Sequence, residues 1–145
     1  ELATGFEENV NLIKVHPGMN PELLDWYVDQ GSKGVILEGT GLGHVPTFPS
    51  NEDRSWMPAI ERATDEGIFV GMTSQCLNGR VHPFVYRALR TGFQAGVTYL
   101  DDMLPGTAFV KLGWALGNFD HDKVPEVMKQ NIAGEISRQS KYKEY

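Results

Sequence analysis

The sequence predicts an α/β domain of about four parallel strands, doubly wound into three layers with helices on both faces. Three observations lead there. Short runs rich in β-branched residues at 10–15, 34–37 and 68–72 have the length and content of strands. Each is followed by a segment whose apolar residues recur at helical spacing. Strand and helix alternate three times, the pattern of a parallel sheet with right-handed crossovers.

Taken in order, the first strand covers residues 10–15 and ends at His16-Pro17-Gly18. Asn20 is placed to cap a helix, with Pro21 at its first position and Glu22 near its positive end. Leu23, Leu24, Tyr27 and Val28 form its apolar stripe, and Gly31 closes it. The second strand, 34–37, runs into Glu38-Gly39-Thr40-Gly41-Leu42-Gly43-His44, a loop whose glycines let backbone pass close to a neighbour. A proline-bearing stretch, 46–51, precedes a helix over about 53–66, with Trp56, Met57, Ile60 and Ala63 on one side and Pro58 in its first turns. Gly67 stops that helix before the third strand. A polar run, Thr73-Ser74-Gln75-Cys76, follows, and Asn78-Gly79 signals a turn. Residues 83–94 predict a third helix with Val85, Ala88, Leu89 and Phe93 inward. Residues 97–100 predict a short fourth strand. Pro105 starts a helix with Ala108, Leu112, Ala115 and Leu116 inward, and Asp120 caps a last one through Val124, Val127, Met128 and Ile132. The tail, about 137–145, reads as exposed.

The 145 residues suffice for one domain, and we find no interdomain linker, repeat or membrane-length apolar run. A net charge of −6 argues against gripping nucleic acid through an overall field. The single cysteine excludes an internal disulfide and fits a cytoplasmic location. The chain starts at Glu1 without a methionine, as expected of a processed product or an excised piece.

The candidate site residues gather at the predicted carboxyl ends of strands two and three: Glu38, Gly39, Thr40, Gly41, Gly43, His44, Thr73, Ser74, Gln75, Cys76 and Arg80. The glycine spacing lacks the Gly-x-Gly-x-x-Gly or Gly-Lys-Ser/Thr pattern of a phosphate loop, so a tight strand exit or an interface is the better reading. Glu38 is either a proton acceptor in a crevice or a carboxylate receiving N–H groups of the glycine turn. Cys76 lacks a base next to it in sequence and is expected to be a half-buried small residue. Ser74 and Gln75 either bind a polar small molecule or satisfy the turn. The four histidines have no metal-ligand spacing, and no cofactor is expected. Arg80, Arg87, Arg90 and Lys111 are expected on solvated faces, and Trp26, Trp56, Phe93 and Trp114 in a core or interface.

Read together, Glu38 to Val45, Met72-Thr-Ser-Gln-Cys76 with Gly79-Arg80-Val81, and Asp102-Met-Leu-Pro105 continued through Thr107-Ala108 and Val110-Lys111-Leu112 resemble a known family. They are similar to the carboxyl-terminal domain of L-asparaginases, in particular its archaeal branch, the D subunit of glutamyl-tRNA(Gln) amidotransferase. Gly106 departs from that pattern, where glutamate is expected. The resemblance, over about residues 7–136, implies an amidohydrolase mechanism with a threonine nucleophile on an amino-terminal domain outside this chain. It implies asparagine or glutamine as small-molecule ligands, a homodimer, and the amidotransferase E subunit and tRNA(Gln) in the full assembly. The isolated chain is then catalytically incomplete, and the surface facing the absent domain is expected to expose apolar side chains. Two alternatives stay open: the same domain of a cytosolic L-asparaginase, and a self-associating amino-acid-binding module.

Overall fold

A computed structural model describes residues 2–49 and 54–139. Its strands are β1 (Val10–Lys14), β2 (Gly34–Gly39), β3 (Phe69–Ser74) and β4 (Thr98–Tyr99). Its helices are α1 (Glu22–Asp29), α2 (Met57–Asp65), α3 (Arg87–Gln94), α4 (Pro105–Asn118) and α5 (Val124–Lys129), with a 3-10 turn at His121–Lys123 before α5. The strands lie in the order β1-β2-β3-β4, all parallel, which is the four-stranded α/β sheet expected. Because the order is sequential, α1, α2 and α3 connect neighbouring strands in one sense and share one face. The other face is covered by α4 and α5.

Two cores follow from the pleat. Alternate β2 side chains point opposite ways, so Val35 and Leu37 join Leu24, Trp56, Ile60 and Met72 beneath α1 to α3. Ile36 joins Phe69, Leu100, Leu112 and Met128 beneath α4 and α5. Residues 34–37 are buried throughout, as a strand covered on both faces requires. Gly71 stands where α4 and the sheet close together: a Cβ there would lie 2.8 Å from Ile36 Cδ1 and 3.0 Å from Leu100 Cδ1. On the first face, Arg62 ties α2 to α1, its guanidinium 3.0 Å from Asp25 and 2.6 Å from Asp29.

Asn20 acts as expected, its Oδ1 accepting the Glu22 N–H at 3.2 Å. Several boundaries differ. β2 and β3 each run two residues further than expected, so Glu38, Gly39, Thr73 and Ser74 are strand residues. Helix α2 starts at Met57, and the expected start at Asp53 lies outside the described residues. Helix α3 starts at Arg87, because the backbone before it has other partners. The His82 ring accepts the Phe84 N–H at 3.3 Å, Arg90 donates to the Phe84 carbonyl at 3.0 Å, and Tyr86 is extended. Val85 is therefore exposed and not helical. Leu89 faces inward as expected, and Gly92 does so instead of Phe93, because the Tyr99 hydroxyl fills the space beside Gly92 and donates to the Leu89 carbonyl at 3.0 Å. Trp26 and Phe93 are exposed, while Trp56 is buried.

The last helix ends at Lys129, leaving Ile132 exposed rather than inward. Lys111, expected in solvent, explains this, being only 8% exposed. Its ammonium donates to the carbonyls of Met128 (3.3 Å) and Gln130, and lies 2.6 Å from Glu135 Oε1. Glu135 in turn accepts the N–H groups of Ile132 and Ala133, so residues 130–135 fold back on α4. Burial works to raise the Glu135 carboxyl, but the Lys111 ammonium and these backbone donors outweigh it and hold it at about 2.

A group held below its ordinary 4.5 stabilises the fold above that value and loses its contribution as pH falls towards 2. We therefore expect acid titration of the wild-type chain to show a loss of thermal stability between those limits. A Lys111→Met variant should lose on the order of 3 kcal/mol at pH 7, because Glu135 is left buried without its cation. Thermal melts across that pH range measure the first, and urea unfolding of both chains at pH 7 the second.

Candidate functional site

The carboxyl end of the sheet is closed by strand ends that bond to one another. After β2 the chain folds into a small hairpin, in which Thr40 and His44 pair: Thr40 N donates to His44 O at 3.0 Å, and His44 N to Thr40 O at 2.8 Å. Two of its glycines are needed in the left-handed region, Gly41 at φ 52° and Gly43 at φ 96°. Gly43 also lies against the core, where a Cβ would be 2.9 Å from Met72 Cγ and 3.0 Å from Val81 Cγ1.

The end of β3 holds this hairpin. Ser74 Oγ donates to Gly41 O at 2.5 Å and accepts the Cys76 N–H at 3.0 Å. Gln75 N donates to Gly39 O at 2.8 Å, and its side-chain amide donates to Glu38 O at 3.1 Å and to Val15 O. Thr73 Oγ1 is buried and donates to Leu37 O at 3.4 Å. His82 N reaches Leu42 O at 3.1 Å from the next loop. The hydrogen bonds observed at Ser74 and Gln75 are ones that satisfy the turn.

Glu38 faces Lys14 at 3.5 Å; among the described residues its carboxylate receives no N–H of the glycine turn, because Gly41 and Gly43 direct that backbone inward to the hairpin and Ser74. Cys76 is exposed rather than half-buried, since Ser74 holds its backbone and leaves the thiol outside the strand ends. Arg80 lies between Asp101 (3.5 Å) and Asp102 (4.0 Å) and donates to Ser137 O at 2.9 Å, so it ties the chain after Ile136 to the end of β4. Burial works to raise the Asp102 carboxyl, yet hydrogen bonds from Ser137 and the Arg80 charge hold it below its ordinary value.

The structure thus brings Gly39, Thr40, Gly41, Gly43, His44, Thr73, Ser74 and Gln75 into one latch. Glu38 lies beside it through its carbonyl, Cys76 at its outer edge, and Arg80 on a separate tie. Neither strand-end hydroxyl is set against a general base: Ser74 and Thr73 spend their hydrogens on carbonyls. The latch uses these two hydroxyls to hold backbone, and an aromatic surface lies beside it.

That surface was missed by sequence reading. Phe48, Phe84 and Tyr86 are each more than half exposed, with Phe93 beside them. The His44 and Tyr86 rings stand 5.4 Å apart, Phe84 and Phe93 5.2 Å, and the Arg87 guanidinium lies 4.7 Å above Phe48. The available signal was Pro83 within an apolar run too irregular for a helix face. A second feature, an apolar groove of about 600 Å3 along α4, is lined by Val110, Trp114, Ile132 and Ala133 over the Lys111–Glu135 pair.

Fold and site together define a parallel α/β domain with a glycine latch and an exposed aromatic rim at the carboxyl end of its strands. The chain belongs to the glutaminase/asparaginase C-terminal domain family, whose model matches residues 9–128. It is 53% identical over 137 residues to the glutamyl-tRNA(Gln) amidotransferase D subunit of Methanopyrus kandleri, covering 94% of this chain and 28% of that protein. Against the D subunit of Thermococcus kodakarensis it is 48% identical over 143 residues, covering 98% and 31%. The structure of a thermostable L-asparaginase from Thermococcus kodakarensis matches with a TM-score of 0.82 and 33% identity, over 93% of this chain and 40% of that one. The chain therefore spans about three tenths of the length of the curated relatives it matches.

Replacing Ser74 with alanine should lower stability by on the order of 1–3 kcal/mol, since the Gly41 carbonyl and Cys76 N–H both lose a partner. Denaturant titration reads this. Cys76 should react with a thiol reagent in the native protein without prior unfolding, and a rate limited by unfolding would contradict its placement.

Proposed function

We propose that this chain is the C-terminal asparaginase-like domain of the D subunit of an archaeal-type glutamyl-tRNA(Gln) amidotransferase. The observation that carries this reading is the 53% identity over nearly the whole chain to a protein more than three times as long, together with a latch whose hydroxyls are already engaged. Identity to these amidotransferase relatives exceeds the 33% found with the L-asparaginase structure, and favours the amidotransferase over a stand-alone asparaginase.

In this reading the threonine nucleophile and its proton-transfer partners belong to an amino-terminal domain. There a side-chain amide of glutamine or asparagine is attacked, an acyl-enzyme forms and ammonia leaves. The amidotransferase E subunit activates Glu-tRNA(Gln) and receives the ammonia to give Gln-tRNA(Gln). All of this takes place in the cytoplasm. The present domain contributes a preformed wall. Its latch holds the loops at the sheet's carboxyl end, and Phe48, Phe84 and Tyr86 face the amidase domain of the same or a second copy in a homodimer.

The 145-residue chain alone should release no ammonia from glutamine or asparagine above the uncatalysed rate. In the full-length D subunit, Tyr86→Ala should lower ammonia release about tenfold or more through misplacement of that wall. A coupled ammonia assay measures both. Turnover by the short chain, or an unchanged rate in the variant, would contradict the proposal. Sedimentation should show the short chain associating at high concentration through its exposed aromatic rim.

A further inference from the structure

Residues 3–7, ahead of β1, make contacts that neither the sheet nor the proposed function uses. This stretch runs along the second half of α4. Asn118 grips Gly5 from both sides: its Oδ1 accepts the Gly5 N–H at 2.9 Å, and its Nδ2 donates to the Gly5 carbonyl at 2.7 Å. The same nitrogen donates to the Trp114 carbonyl at 2.7 Å, so the amide is committed in both directions. Glu7 N donates to Gly113 O at 2.9 Å, and the Trp114 indole N–H donates to Ala3 O at 3.0 Å.

Packing adds a second condition. A Cβ at Gly113 would run into the Phe6 ring, one at Gly117 into the Phe6 backbone, and one at Gly5 into the Gly117 carbonyl. Gly113 and Gly117 therefore form a shallow track one helical turn apart, fitted to this segment. Glycine in a helix interior lowers helix stability relative to alanine, so the track has a local cost that the docked segment offsets.

We propose that residues 3–7 are a docked strap, with Asn118 as its positioning residue, rather than a flexible lead-in to β1. The strap sets the direction in which polypeptide enters the domain and holds the Trp114 wall of the apolar groove. The inference concerns contacts inside the 145 residues and stands independently of the amidotransferase reading.

The test is amide hydrogen exchange by NMR on the 145-residue chain. The Gly5 and Glu7 amides, both donors to α4, should be protected. Gly117→Ala favours the helix yet removes room for Phe6, and Asn118→Asp is isosteric but lacks both N–H donors. Each variant should exchange Gly5 and Glu7 about tenfold faster or more, while β2 and β3 amides keep their protection. Unprotected Gly5 and Glu7 amides in the wild-type chain, or protection unchanged in both variants, would overturn the proposal.

Discussion

Past the last ladder pair of a parallel sheet, strand carbonyls point at loops and need partners supplied from elsewhere. Here one residue takes two of them. The Gln75 amide donates to the carbonyl of Val15, just past β1, its backbone N–H goes to Gly39 at the end of β2, and the amide also reaches the Glu38 carbonyl. Ser74 next to it holds Gly41. The first three strands thus end in a single hydrogen-bonded seam, and the hairpin, the His82 loop and the aromatic rim are built on it. Glycine at 43 lets the hairpin lie directly on Met72 and Val81, so the seam joins the core without a gap.

This arrangement explains how a domain whose strand-end hydroxyls are already engaged still has a defined surface. The Thr73 and Ser74 hydroxyls and the Gln75 amide are used in shaping backbone, while Phe48, Phe84 and Tyr86 stand outward. An aromatic rim loses little side-chain entropy on contact and buries much area, which suits a fixed wall more than a reacting centre.

The strands and most helices were legible because their signals are local. Residues 34–37 and 68–72 are continuous apolar runs bounded by glycine, and Gly31 and Gly67 both stop helices with positive φ. The start of α3 and the end of α5 were not legible, because distant side chains decide them. Arg90 takes the Phe84 carbonyl across six residues, and Lys111 takes carbonyls in the last turn of α5 and just past it, across 17 and 19. Burial of Lys111 has no sequence signature of its own; it needs Glu135, 24 residues on, to be neutralised. The candidate residues of β2 and β3 do lie at the strand ends. Their hydrogen bonds to one another depend on which carbonyls lie within reach, and only the folded backbone reveals that.

Helix α4 is the anchor for both ends of the described chain. The strap lies along its second half, and residues 130–135 return to it through Lys111. Residues 3–7 and 130–135 therefore both lie on the outside of one helix, away from β2 and β3, which are buried from both sides. The most persistent structure in this domain lies at the middle of the sheet, and its two chain ends loosen against a common support without unpicking a strand.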